Sequence, residues 1–323
     1  HDRRQRGSEK AARGQVDLRL RRIVLVVTGV VALVCVYVSR TYIKLAEFPE
    51  TDWGPTLAGW VDDFSERFTD AVSGATEWFK DVVSAGLLNP FQELLAESPW
   101  YVTAIAILLL AAVLGGLRAV VPTVICLAGL RFFGLWHDAM VTLSMTLVGT
   151  VLVMVLAVVF GVWMARRRRV DLVLRPLLDT GQTIPPFVYL IPMLALFDVT
   201  RFTAIAAGII YAAPVAIKLV ADGVKGVSAS TIEASRSTGA TSWQEITKVQ
   251  LPMARGSLVL AANQGLLYVL SMAVIGGMVG AGALGYDVVL GFSRSEEWGK
   301  GAAAGISIVL LGIMVDRICR AAA

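Results

Sequence analysis

The amino-acid sequence predicts an all-α integral membrane protein with about eight transmembrane helices and one external amphipathic helix. Two observations carry this prediction. Hydrophobic residues make up 56% of the 323 residues and charged residues only 17%, whereas soluble domains are about half apolar and about a quarter charged. The apolar residues also gather into stretches of about 18 residues or more, which are long enough to cross the hydrocarbon layer as helix.

The first predicted transmembrane helix covers residues 23–40 and follows a basic segment, residues 1–22. That segment holds eight arginine and lysine residues against three acidic ones. Arginine and lysine are enriched on the cytoplasmic side of membrane helices, so we expect this segment to be a cytoplasmic tail.

Residues 41–99 form the longest polar region, and a helical repeat of apolar residues runs through it. The repeat consists of Trp60, Val61, Phe64, Phe68, Val72, Ala75, Trp78, Phe79, Val82 and Val83. This spacing predicts an amphipathic helix. Its polar face is mostly acidic, and an anionic cytoplasmic leaflet attracts lysine instead, so we expect the helix on the external surface. A small soluble helical hairpin is the alternative.

Seven further apolar spans follow the amphipathic region. They lie near residues 100–117, 119–136, 139–165, 183–200, 202–221, 257–280 and 301–319. When the crossings are counted from a cytoplasmic N-terminus, Arg118, Arg166–Arg169 and Arg320 all fall on the cytoplasmic side. This bias predicts cytoplasmic termini and a cytoplasmic loop at residues 222–256. Because the basic residues lie at the membrane edges, the net charge of +4 requires no nucleic-acid partner.

Charged and catalytic groups are scarce within the predicted membrane segments. Residues 183–197, 257–280 and 301–315 contain no charged side chain, although ion-coupled transporters and intramembrane enzymes need ionisable groups there. Lys218 and Asp198 lie near span ends, where we expect them to snorkel to the interface. No zinc-protease, serine-nucleophile or Walker motif occurs, so we predict no catalytic residue, no metal site and no cofactor bound by this chain.

One glycine motif, from Gly280 to Gly285, fits the G-x-G-x-x-G pattern of dinucleotide-binding loops. That pattern binds nucleotides only where it follows a strand and opens a helix. Here it follows a membrane span. We therefore interpret the glycines as a site of close helix packing or a bent re-entrant turn.

Prolines and polar residues within the later spans are candidates for the translocation pathway. They are Pro185, Pro186, Tyr189, Asn263, Gln264 and Ser271. Proline bends a helix and frees backbone carbonyl groups, and a side-chain amide can bond across helices. Ordinary packing between helices is the alternative explanation.

The segment Thr231–Pro252 interrupts the apolar spans with the sequence TIEASRSTGATSWQEITKVQLP. It resembles the EAA loop of ABC importer permeases, with Ser235 and Val249 as departures that preserve side-chain size. In that resemblance the loop forms two short helices with a turn at the glycine, and it docks on a separate ATPase subunit. The predicted coupling residues are Glu233, Ala234, Ser235, Gly239, Leu251 and Pro252. A soluble helix-turn-helix is the alternative.

Further stretches extend the resemblance beyond the loop. These are AMVTLSMTLVG, RPLLDTGQTIPPFVYLIPMLALF and GALGYDVVLGF, which are similar to the permease subunits of glycine betaine/proline betaine importers. The resemblance implies a type I ABC importer permease fold. It places accessory helices at residues 100–136 and the permease core at residues 137–320, which includes the coupling loop 222–256.

The resemblance also implies partners and a function. An ATPase subunit that binds ATP and Mg²⁺, an extracytoplasmic substrate-binding protein and a second permease subunit would complete an importer in the bacterial inner membrane. Its solute would be glycine betaine or a related quaternary ammonium osmoprotectant. Choline, carnitine, ectoine or an amino acid are alternative solutes. The residues alone also leave open an ion-coupled secondary transporter and a membrane-anchored receptor or scaffold.

Overall fold

The computed structural model describes residues 2–42 and 53–321. All regular secondary structure in these two ranges is helical, which confirms the predicted all-α class. By contacts the chain divides into two compact units, residues 1–64 and residues 65–323.

The first unit contains helix α1 (Asp2–Tyr42) and the beginning of helix α2 (Trp53–Val83). The predicted span 23–40 lies within α1, whose segment Leu20–Thr41 is long and apolar enough to cross a membrane. Helix α2 contains the whole apolar repeat predicted for the amphipathic region. Residues 43–52 of that region lie outside the described residues. The predicted external position of α2 stays a prediction.

In the second unit, the chain continues from α2 through two π-helical turns, Ser84–Leu88 and Glu93–Glu97, which flank the short helix α3 (Asn89–Gln92). It then bends by 108° at Ser98 and Pro99 into α4 (Trp100–Gly115), and α5 (Leu117–Phe132) follows. Helices α4 and α5 have 16 residues each. At about 1.5 Å per residue, each is shorter than a hydrocarbon layer of about 30 Å.

Three long helices form the centre of the second unit: α6 (Trp136–Arg166), α9 (Arg201–Lys225) and α13 (Arg255–Ile275). Their contact buries mainly small and β-branched residues. Among these are Val153, Ala157, Ala212, Ala216, Val220, Ala261 and Val269. Small side chains let helices approach closely in a membrane, where van der Waals packing drives association. A last helix, α15 (Trp298–Ala321), packs against α5 and α13.

The predicted span at residues 183–200 is wrong as one continuous helix. Helix α7 (Arg168–Thr183) ends there, and after a bend of 110° a 3₁₀ turn (Pro186–Tyr189) leads into the short helix α8 (Leu190–Phe197). Ile184 has an extended backbone, with ψ of 128°. The proline that follows disfavours the helical conformation at this residue. The two prolines therefore interrupt the helix here, where the sequence predicted only a bend.

The number of membrane-crossing helices also differs from the prediction. Among the described residues, five helices are long and apolar enough to cross a membrane, or up to seven if each bent pair counts as one span. The predicted total of about eight is not confirmed. The main reasons are the short helices α4 and α5 and the break before α8.

The glycine motif lies where α13 ends and the chain turns back. A 3₁₀ turn (Gly276–Val279) leads through Gly280–Gly282 into α14 (Ala283–Ser293), and a further 3₁₀ turn (Ser295–Glu297) precedes α15. The backbones of Gly277 and Gly285 touch, since a Cβ on Gly277 would lie 2.2 Å from the carbonyl carbon of Gly285. The motif therefore serves close packing in a bent segment, as interpreted from the sequence.

We expect Gly277→Ala to lower the apparent Tm of the detergent-solubilised protein at a fixed scan rate. The added methyl group meets backbone atoms that have no room to move, and overpacking of this kind costs about 1–3 kcal/mol. Gly256→Ala is the matched control, because nothing lies within 4 Å of a Cβ at Gly256. Equal Tm values for the two variants would contradict the close packing at Gly277.

Candidate coupling site

The loop between α9 and α13 contains three short helices, α10 (Ala229–Ser237), α11 (Ser242–Glu245) and α12 (Leu251–Met253), with a π-helical stretch Ile246–Gln250 before the last. The structure thus shows the two short helices joined near Gly239 that the resemblance implies. Together these elements continue α9 and lead into α13.

Local hydrogen bonds explain where α10 begins and ends. The Ser228 hydroxyl accepts a bond from the backbone N–H of Thr231 (3.3 Å) and so caps its start. At the other end, Gly239 has φ of +81°, a left-handed conformation that favours glycine. Its N–H donates to the carbonyl oxygen of Arg236 at 2.9 Å. Gly239 therefore closes α10 and turns the chain towards α11.

A reciprocal pair of hydrogen bonds starts α11. The N–H of Gln244 donates to the Thr241 hydroxyl (3.3 Å), and the N–H of Thr241 donates to the Gln244 side-chain oxygen (2.9 Å). This capping box satisfies two backbone donors that a helix start leaves unpaired. It also sets the direction in which α11 carries its last residue, Glu245, towards the membrane helices.

Glu245 joins the loop to the end of α6. Its side chain is only 3% exposed and forms ion pairs with Nη1 of Arg166 and with Nε of Arg236, both at 2.9 Å. Nη1 of Arg166 also donates to the side-chain oxygen of Gln250 at 3.1 Å. We call these four residues the Glu245 clamp. The clamp holds α10, α11 and the π-helical stretch against the last residue of α6.

The clamp lowers the pKa of the Glu245 carboxyl below its ordinary value of 4.5. The hydrogen bond from Arg236 is the largest cause, burial opposes it, and the positive charge of Arg166 adds to the lowering. A carboxyl whose pKa falls on folding stabilises the folded loop at pH values above its unfolded pKa. That stabilisation is lost as the pH drops through the lowered value.

A second set of ion pairs ties α7 to α9 along their lengths, and we call it the α7–α9 ladder. Its distances are 2.7 Å for Asp171 to Lys225, 2.6 Å for Arg175 to Asp222 and 2.6 Å for Asp179 to Lys218, with Gln182 accepting from Lys218 at 2.6 Å. The acids and bases recur every three or four residues, so each helix presents them on one face. The Lys218 ammonium group is bound to α7, and its predicted position at the membrane interface stays a prediction.

The predicted coupling residues lie on the outer side of the loop or just beneath it. Glu233, Ala234, Gly239 and Pro252 are exposed, whereas Ser235 and Leu251 are half-buried. Helix α10 has no buried residue. This surface is open to a partner subunit, and the coupling role of the six residues stays a prediction. Sequence reasoning missed Arg166, Glu245 and Gln250 as a group, because no local pattern links residues 79 or 84 positions apart.

The predicted pathway residues do not form one group. Pro185 and Pro186 lie at the break before α8, and the Tyr189 hydroxyl donates to the carbonyl oxygen of Gly181. Asn263 is buried and donates to Asp316 on α15 at 2.8 Å, as in ordinary packing between helices.

The other two predicted pathway residues, Gln264 and Ser271, lie seven residues apart on one face of α13. Gln264 is half-buried and Ser271 is exposed. The pathway role of all six predicted residues stays a prediction.

Comparison with known proteins identifies the family. Residues 157–322 match the family described as "Binding-protein-dependent transport system inner membrane component". The chain belongs to this family. The match begins inside α6 and includes α7, the break before α8, the whole loop and the glycine motif, so the Glu245 clamp and the α7–α9 ladder lie within it.

Curated relatives agree with the family. The "Glycine betaine/proline betaine transport system permease protein ProW" of Escherichia coli (strain K12) is 39% identical over 235 residues, covering 73% of this chain and 66% of ProW. The "Glycine betaine transport system permease protein OpuAB" of Bacillus subtilis (strain 168) is 32% identical, covering 79% of this chain and 92% of OpuAB. These relatives confirm the predicted resemblance to glycine betaine/proline betaine permeases.

A third relative and one solved structure complete the comparison. The "Glycine betaine/carnitine transport permease protein GbuB" of Listeria monocytogenes serotype 1/2a is 39% identical, covering 58% of this chain and 66% of GbuB. The chain therefore spans slightly less than two thirds of ProW and of GbuB. The structure "Inward facing conformations of the MetNI methionine ABC transporter" aligns with a TM-score of 0.48 at 27% identity, over 58% of this chain and 96% of that chain.

We expect Glu245→Gln to loosen the loop while the membrane helices stay folded. Loss of the buried charge leaves Arg166 and Arg236 without their anion, which costs about 1–3 kcal/mol. Hydrogen–deuterium exchange of the amides between residues 238 and 250 should then speed up. Glu233→Gln is the control, since Glu233 is exposed and lies outside the clamp. Equal exchange in the two variants would show that the clamp does not hold the loop.

The lowered pKa of Glu245 predicts an acid limit for the same protection. After correction for the intrinsic pH dependence of exchange, the wild-type loop should keep its protection at pH 4.5 and lose it below that value, as the carboxylate becomes protonated. The Glu245→Gln loop should show no such step. A wild-type loop that loses protection well above pH 4.5 would contradict the assignment to Glu245.

Proposed function

We propose that this chain is the transmembrane permease subunit of an ATP-driven importer for glycine betaine or a related quaternary ammonium solute. The observation that carries the proposal is the match to the ProW and OpuAB permeases, together with the family match over residues 157–322, which contain the loop. The structure supports it by presenting the predicted coupling residues on an exposed loop that is fixed to a membrane helix.

The partners follow from the proposed role. A separate ATPase subunit, carrying ATP and Mg²⁺, would dock on α10, where Glu233 and Ala234 are exposed. An extracytoplasmic binding protein would deliver the solute, and a second permease subunit would complete the pathway. The loop and both termini would then lie on the cytoplasmic side of the bacterial inner membrane, as the positive-inside bias predicts.

Movement of the ATPase would reach the membrane helices by two routes. The Glu245 clamp connects the loop to α6 through Arg166. Helix α9 leads into the loop, and the α7–α9 ladder ties α7 to it through Lys218 and Lys225. Because α7 ends at the break near Pro185, a shift of α7 would change the angle at which α8 follows.

The names of the relatives give different solutes, and these solutes are the ones to compare in a transport test. GbuB is a glycine betaine/carnitine permease by its name, and the TmoV protein of Pelagibacter ubique, 32% identical, is a trimethylamine N-oxide permease. Glycine betaine, proline betaine, carnitine, choline and trimethylamine N-oxide are therefore the solutes to compare, and ectoine tests a compatible solute that has no methylated nitrogen. A solute without a methylated nitrogen, such as an amino acid, serves as the negative control.

We expect the reconstituted complex of permease, ATPase and binding protein to hydrolyse ATP faster when a quaternary ammonium solute is present. Glu233→Ala and Gly239→Asp should abolish most of this stimulation. The first removes the exposed charge of α10, and the second places a charged side chain on an exposed turn whose φ of +81° favours glycine. The measurement is the ATPase rate of complexes that contain equal amounts of each subunit.

Glu296→Ala is the matched control, because Glu296 is an exposed acid outside the loop. Full stimulation in the two loop variants would show that the loop is not the coupling element. No stimulation of the wild-type complex by any solute of the panel would contradict the proposed substrate class.

A further inference from the structure

We propose that Tyr189, Tyr211 and Tyr268 form a transit site that binds the methylated ammonium group of the solute within the pathway, with Gln264 and Ser271 beside it. This inference rests on the proposed function and adds a binding site to it. We call the three residues the tyrosine cluster.

Three separate elements bring the rings together. The Tyr211 ring on α9 lies 5.9 Å, centroid to centroid, from the Tyr189 ring on the 3₁₀ turn before α8. It lies 5.0 Å from the Tyr268 ring on α13. The interplanar angles are 53° and 46°, so neither pair is stacked face to face. Both outer rings therefore contact the central Tyr211 ring, at distances usual for aromatic pairs.

The three tyrosine hydroxyl groups differ in their hydrogen bonding. The Tyr189 hydroxyl donates to the carbonyl oxygen of Gly181. Tyr211 and Tyr268 are half-buried, and within the described part of the chain their hydroxyl groups have no hydrogen-bond partner. A buried tyrosine hydroxyl is usually bonded, so these two groups are available to water or to a ligand.

Tyr268 belongs to a polar face of α13. Gln264, Tyr268 and Ser271 are spaced by four and three residues, which places them on one side of the helix. Within the described ranges the Gln264 side-chain amide has no hydrogen bond, and the Ser271 hydroxyl donates only to the carbonyl oxygen of Leu267 at 2.9 Å. A side-chain amide facing lipid would remain unsatisfied, at a cost of several kcal/mol. This face of α13 therefore fits a water-filled pathway better than a lipid-facing surface.

The chemistry of the site fits the shared group of the solutes. A trimethylated nitrogen carries a positive charge but has no N–H to donate, so aromatic faces recognise it better than hydrogen-bond acceptors do. The carboxylate of a betaine would accept a hydrogen bond from the Gln264 side-chain amide, one helical turn from Tyr268.

Asp179, the acid that lies on α7 two residues before Gly181, is already paired and so is not free to hold the cation. Lys218, seven residues after Tyr211, is bound by Asp179 at 2.6 Å. A weak site of this kind allows both arrival and release, as conduction requires.

The cluster is also joined to the coupling elements. The carbonyl oxygen of Gly181, which accepts a hydrogen bond from the Tyr189 hydroxyl, belongs to α7. Helix α7 is in turn fixed to α9 by the α7–α9 ladder. A shift of α7 that follows the loop would move Tyr189 relative to Tyr211. The arrangement of the rings would then change during the transport cycle.

The test replaces Tyr268 by phenylalanine and by mono-, di- and trifluorinated phenylalanine in the reconstituted complex with its ATPase and binding protein. Fluorine withdraws electron density from the ring face and leaves the side-chain shape nearly unchanged. Glycine betaine turnover should stay within about twofold for phenylalanine and fall stepwise with each fluorine, and Tyr268→Leu should lose about tenfold. Tyr101→Leu is the control and should keep the wild-type rate, since Tyr101 is exposed and lies outside the matched residues 157–322.

Three results would overturn the site. Wild-type turnover in Tyr268→Leu would show that the ring is not used. A loss in Tyr268→Leu with a flat fluorine series would assign Tyr268 to packing or to contact with a second permease copy. In both cases the wild-type complex still transports glycine betaine, so the proposed function stands. A wild-type complex that transports no quaternary ammonium solute overturns the proposed function and this site with it.

Discussion

The carboxylate of Glu245 holds the loop between α9 and α13 to the membrane-spanning part of the protein. Helix α10 buries no residue of its own, so apolar packing alone does not fix its position. The carboxylate is 3% exposed and is bound by two guanidinium groups, one from the loop and one from α6. A loop without this anchor would move independently of the helices that it is proposed to drive.

The contribution of the Glu245 clamp to stability comes mainly from its less exposed ion pair, the one between Glu245 and Arg166. Arg236 is 62% exposed, so water and salt screen its ion pair, and exposed pairs contribute at most about 1 kcal/mol. Arg166 is 24% exposed and also binds Gln250, so its pairing with Glu245 is better shielded. Removal of the carboxylate leaves this partly buried guanidinium unpaired, which is the costly outcome. The α7–α9 ladder is more exposed, but its several pairs act on the same two helices.

Some of this arrangement could be predicted from the sequence, because it depends on local chemistry. The apolar composition predicted the helical membrane class, and the spacing around Gly239 predicted two short helices with a turn between them. Long-range pairing could not be predicted, since Arg166 and Glu245 are 79 residues apart and no periodic pattern connects them. The ion pair of Lys218 could not be predicted for the same reason, because its partner Asp179 lies on another helix.

Prolines and glycines indicated where the helices bend or pack closely, but the sequence did not show how large each structural change is. Pro185 and Pro186 predicted a bend, but the structure shows a 110° break that ends α7. The glycine motif predicted close packing, yet α14 itself, with 11 residues, was too short to be recognised among the spans. Asn263, a pathway candidate from the sequence, is buried and bonded to Asp316 on α15, a long-range contact that the sequence did not indicate.

The most direct test of the central claim is a distance measurement by electron paramagnetic resonance between spin labels at Thr238 in the loop and Arg169 at the start of α7. Labelled permease would be diluted with unlabelled permease in the full complex, with and without trapped nucleotide. We predict an unchanged distance distribution between these labels, while in undiluted complexes labelled only at Thr238 the distance between the two loops shortens. A distance from Thr238 to Arg169 that changes when nucleotide is trapped would show that the loop moves separately from α6 and α7, and would contradict the account.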